Sequence, residues 1–99
     1  MSVKRRLQQR FHTCPQKGQW SNFLSRLPAA VLPERVRKSI LLPVEIVLPP
    51  DEGGSVSCQT VEELLELWQR HLPKMTHDDC RTNFFRLRQI IPILTCLLF

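Results

Sequence analysis

Glycine is scarce in this chain of 99 residues: only Gly18, Gly53 and Gly54, each placed where a loop needs punctuation. No glycine-rich loop that could cradle a phosphate can be assembled from them. No uninterrupted apolar run approaches the ~20 residues that a membrane helix requires. The four cysteines, Cys14, Cys58, Cys80 and Cys96, contain no Cys-x-x-Cys pair, and His77 with Cys80 is a lone i, i+3 spacing. Structural zinc wants two such pairs, so no metal and no cofactor is expected. Nor does the sequence single out one thiol beside a histidine and an orienting third group, as a cysteine nucleophile demands. The chain is therefore expected not to be an enzyme.

Acid is also missing from a long stretch. No Asp or Glu occurs before Glu34. Residues 1–38 hold nine bases against that one acid, a net of +8. Residues 39–66 hold six acids and no base, and residues 67–99 hold five bases and two acids, leaving +5 for the whole chain. Blocks of this kind either neutralise one another within the fold or meet an outside partner of opposite charge. The basic first third has three readings. It is an arm that binds RNA or another polyanion through Lys4, Arg5, Arg6 and Arg10. It is a mitochondrial targeting segment, being basic, acid-free and amphipathic. Or it is folded over the acidic middle.

The most informative stretch runs over residues 44–72. Val44, Ile46 and Leu48 alternate with Glu45 and Val47, the period of a strand with one buried face. Two prolines, two acids and the Gly53-Gly54 pair follow, and Ser55-Val56-Ser57-Cys58 alternates again. Strand, glycine-containing loop and strand predict a hairpin. Thr60-Val61-Glu62-Glu63 then fits a capping box, with Thr60 as N-cap and Glu63 reaching back. Glu62, Glu63 and Glu66 favour the positive end of the helix dipole and need no catalytic explanation. Val61, Leu64, Leu65, Trp68 and Leu72 make one apolar stripe, and Pro73 ends the helix.

The residues 44–48, 55–58 and 60–65 together resemble the opening half of a ubiquitin-like β-grasp domain. The resemblance covers under a third of the chain. It implies a protein-interaction module and nothing catalytic. It departs downstream, where only residues 93–99 remain to supply a further strand.

On either side the pattern is helical. Val3, Leu7 and Phe11 predict an amphipathic helix over residues 2–12. Trp20, Phe23, Leu24 and Leu27 predict a second, whose aromatics are expected in a core rather than stacked on bases. Glu34 opens a helical turn within a proline-bounded linker. Thr76 is a second N-cap, with Asp78 and Asp79 in the first turn, and Cys80, Phe84, Leu87 and Ile91 share a face. Pro92 is expected to end that helix. Residues 93–99 are almost wholly apolar, a final strand, a buried tail or a sticky end. The last four residues, from Cys96 to Phe99, match a prenylation pattern, which would bring the chain to a membrane.

The resulting expectation is a small single α+β domain. A β-hairpin is followed by two antiparallel helices over residues 39–99, preceded by the basic, partly helical segment 1–38 and closed by an apolar C-terminal segment. The expected function is non-catalytic binding of another protein, or self-association, through the apolar helical face of Leu64, Leu65, Trp68, Phe84 and Leu87. RNA binding and mitochondrial import are the alternatives. An intracellular setting, cytoplasmic or nuclear, with free thiols is expected from the cysteine spacing and from the lack of an apolar signal-peptide run.

Overall fold

A computed structural model describes residue 5, residues 9–27, residue 32, residues 34–38 and residues 43–98, with side chains through Ile90. The elements are α1 (Trp20–Arg26), α2 (Glu34–Arg37), β1 (Val44–Val47), β2 (Ser55–Cys58), α3 (Val61–His71) and α4 (His77–Leu98). The architecture is α+β: an antiparallel two-stranded hairpin packed with helices.

The hairpin forms where the alternation places it. Val44 pairs with Cys58, Glu45 with Ser57, Ile46 with Val56 and Val47 with Ser55. The register continues into the loop, where the Leu48 amide donates to the Gly54 carbonyl at 2.8 Å. Pro50–Glu52 makes one 3₁₀ turn, and the chain reverses through Gly53 and Gly54 at φ of 116° and 64°. Val44, Ile46, Leu48 and Cys58 are buried, and Val56 is half-buried on the same side.

Both long helices start on their threonines. The Glu63 amide donates to Thr60 Oγ1 at 3.1 Å, but the Glu63 carboxylate accepts from the Gln59 amide rather than from Thr60. The reciprocal box closes fully at α4: the Asp79 amide donates to Thr76 Oγ1 at 3.1 Å and the Thr76 amide to Asp79 Oδ2 at 3.2 Å. A 3₁₀ turn over Leu72–Lys74 joins the two helices.

At the far end of α4 one expectation fails and one of three alternatives drops out. Pro92 does not stop the helix, which runs on to Leu98, and residues 93–98 form no strand. Proline removes one backbone donor but already holds a helix-compatible φ, so a helix built on both sides can contain it at a cost. The β-grasp likeness therefore ends at α3. The chain that follows continues as helix where that fold would add strands.

The core recruits the first third of the chain. Phe11, Trp20, Phe23, Leu24, Leu27, Leu32 and Val36 join Val44, Ile46 and Leu48 of the hairpin segment and Leu64, Trp68, Phe84 and Leu87 of α3 and α4 in one buried cluster. Phe84 is its aromatic centre, with ring centroids 5.5 Å from Phe11, 5.7 Å from Phe23 and 6.2 Å from Trp20. Trp20 and Phe23 thus pack in the interior, as their helical spacing predicts.

Candidate functional site

The five side chains expected to meet a partner are spent inside the protein. Leu64, Trp68, Phe84 and Leu87 are fully buried, and Leu65 is 3% exposed. Together they exceed the apolar stripe of either helix alone. Because the first third of the chain folds onto α3 and α4, it covers the face that the sequence pattern leaves open. Among the described residues Phe85 is the one large hydrophobic side chain that is exposed, at 40%.

The charge blocks also resolve differently from their order in the sequence. The acidic middle meets bases of the last third. Glu52 accepts from Lys74 Nζ at 2.7 Å and lies 2.8 Å from His71 Nδ1. Glu45 lies 3.8 Å from Arg86, whose guanidinium also donates to the Glu45 carbonyl at 3.4 Å. From the first third, Arg37 reaches the middle block, bonded to Glu62 at 3.1 Å. The hydrogen bond from Lys74 holds the Glu52 carboxyl below the usual carboxylate value, and the same bond raises Lys74.

Of the basic residues expected to contact nucleic acid, Lys4 and Arg6 lie outside the described residues. Arg5 is helical and exposed. Arg10 is half-buried, with its guanidinium carbon 5.2 Å from the centroid of the Phe23 ring. Cys96 lies within α4, whereas prenylation needs an accessible, flexible tail.

Two features escape the sequence pattern. The first is Asn83, wholly buried on α4. Its Oδ1 accepts from the Val47 amide at 2.7 Å, and its Nδ2 donates to the Val47 carbonyl at 3.1 Å. In an antiparallel pair the residues alternate between bonding the partner strand and facing away. The Leu48–Gly54 bond sets Glu45 and Val47 to face away from β2. Asn83 and Arg86 therefore satisfy the outer edge of β1 in place of a third strand. The second is a pair of indole bonds: Trp20 Nε1 donates to His77 Nδ1 at 2.9 Å, and Trp68 Nε1 to Cys80 Sγ at 3.4 Å. The Trp20–His77 bond requires an unprotonated Nδ1 on the imidazole. It lines an open cleft of about 640 Å³ between Lys17, Trp20, Met75 and Asp78.

Neither feature is poised for covalent chemistry. Burial pushes the Cys80 thiol up, against an opposing effect of the Trp68 bond. Burial, reinforced by the Glu63 charge, pushes Cys58 up as well. A thiol held protonated is a poor nucleophile and a poor metal ligand. Among the described residues no three His, Cys, Asp or Glu side chains gather where they could hold a metal ion, and no helix is long and apolar enough to cross a membrane. No family model, curated protein or solved structure matches the chain.

Proposed function

We propose that the protein is a non-catalytic interaction module that engages the apolar surface of another protein through the last turns of α4. The observation that carries this reading is the division of that helix. Up to Leu87 its inward residues are built into the core, and Ile90 packs partly against it. Residues 90–98 then continue the helix without one charged residue. A helix with no polar face needs cover on every side, and a small domain has little surface left to provide it. The mode is helix-in-groove recognition, with the helix supplied by this chain. The same reading places the protein in a reducing compartment, where Cys14, Cys58 and Cys80 stay as free thiols.

The test uses the full chain with Leu94→Asp and Leu97→Asp introduced together. The unsubstituted protein is expected to self-associate in sedimentation velocity, or to bind a hydrophobic dye and capture a partner by cross-linking. The double variant is expected to lose these properties while keeping its far-UV circular dichroism. A monomer that binds no dye, unchanged by the two aspartates, disposes of the proposal.

A further inference from the structure

The two edges of the hairpin are finished differently. On β1 the outward groups of Val47 and the Glu45 carbonyl are taken up by Asn83 and Arg86. β2 has no such cover among the described residues. The Leu48–Gly54 bond and the register set Val56 and Cys58 in hydrogen-bonded pairs with Ile46 and Val44. The backbone N–H and C=O of Ser55 and Ser57 therefore face away from β1. No described residue bonds to these groups, and both serines are exposed. Such an edge is usually blunted by a lysine, a proline or a bulge. Ser55-Val56-Ser57-Cys58 has none of them.

Charge marks the two ends of this edge. Asp51 is exposed in the 3₁₀ turn before β2, and Glu63 is exposed in the first turn of α3 after it. Neither makes an ion pair among the described residues. Lys74 is bonded to Glu52 instead, and the Glu63 carboxylate accepts from the Gln59 amide. Antiparallel pairing of two copies about Val56 would set the Asp51 end of one against the Glu63 end of the other, like charge on like. The edge suits a strand other than its own.

We infer that the β2 edge takes up an extended peptide segment with a base at each end, which adds a third strand to the hairpin. The N–H and C=O groups of Ser55 and Ser57 supply the ladder. Val56, half-buried on the inner side, offers apolar contact to alternate side chains of the incoming strand. Asp51 and Glu63 attract the terminal bases. The inference is independent of the reading given to α4.

The experiment is an NMR titration of the ¹⁵N-labelled full chain with a capped hexapeptide, valine and threonine alternating between two terminal lysines. Saturable shifts and slower hydrogen exchange are expected at the Ser55 and Ser57 amides, larger than at Val56, whose amide already faces Ile46. The same peptide with terminal glutamates is expected to bind about tenfold more weakly at low salt. Ser57→Pro removes an outward donor without taking a bond from β1, and is expected to weaken binding about tenfold. Should that variant fail to fold, Asp51→Asn with Glu63→Gln, both at exposed positions, is expected to erase the difference between the two peptides. Leu94→Asp with Leu97→Asp is expected to bind the peptide like the parent, which separates this edge from the end of α4. No saturable binding, equal binding of the two peptides by the parent, or unweakened binding by the Ser57→Pro variant each overturn the inference. So do Ser55 and Ser57 shifts that grow with protein concentration alone, the mark of a second copy on the edge.

Discussion

Asn83 ties α4 to the outer edge of β1 with both halves of its amide, one accepting from Val47 and one donating to it. Asn83→Ala leaves a backbone N–H and C=O without partners next to the core. The expected loss is about 2 kcal/mol, read from the urea midpoint. Asn83→Asp is more telling. A carboxylate can accept from the Val47 amide but meets the Val47 carbonyl with like charge. Its folded pKa should rise above the unfolded value, so the variant should be weakest at neutral pH and recover as pH falls through the folded pKa. Glu52 has the opposite sign. Lys74 holds its folded pKa below the ordinary value, with His71 adding to the effect. The stability it contributes is present above the unfolded carboxylate pKa and is lost as pH falls through the folded one. Glu52→Gln should therefore flatten the acid side of the stability profile. Because Lys74 is largely exposed, the change should shrink in high salt. An acid limb that keeps its slope in the variant would assign the acid sensitivity to another carboxylate.

At the scale of elements, the loop between β1 and β2 gives a graded test. Gly53 sits at φ of 116°, and a methyl group added there would lie 3.3 Å from Val56 Cγ2. Gly54 sits at φ of 64° with nothing within 4 Å. An L-residue tolerates the second conformation far better than the first. Gly54→Ala should cost about 1 kcal/mol, and Gly53→Ala clearly more, with the ranking read from thermal midpoints. The hairpin, α1, α3 and the start of α4 were legible in the sequence because their signals are local: alternation at 44–48, a threonine cap at Thr60 and at Thr76, and apolar stripes at helical spacing. The end of α4 was not, because Pro92 is a strong local stop that the helix nevertheless passes. The contacts that define the candidate sites were least legible. Asn83 meets Val47 across 36 positions, and Trp20 meets His77 across 57. No periodicity marks an asparagine on an apolar face as the partner of a distant strand edge. The face of Leu64, Trp68 and Phe84 looked open for the same reason: what covers it comes from the other end of the chain.

For the molecule as a whole, the decisive fact is that the basic first third belongs to the core. Residues 1–38 bring Phe11, Trp20, Phe23, Leu24, Leu27, Leu32 and Val36, each nearly or fully buried. Burying a large apolar side chain stabilises by about 1.5–3 kcal/mol. Seven of them amount to roughly 10–20 kcal/mol, comparable to or larger than the roughly 5–15 kcal/mol by which a small domain is stable at all. A chain beginning at residue 39 is therefore expected to lose cooperative thermal unfolding, to expose Trp68 and to bind a hydrophobic dye strongly. The full chain should unfold in one transition, with fluorescence from the adjacent Trp20 and Trp68 following the same curve as circular dichroism. The same accounting bears on import. Proteolytic removal of a targeting segment is compatible with this fold only if the cut falls before Phe11, because any later cut strips a ring stacked on Phe84. A folded, cooperative fragment starting at residue 39 would overturn this view and restore the first third as a separate arm. An unfolded one would mean that any binding attributed to residues 1–38 must be measured in the intact protein, where Arg10 is already held in place by Phe23.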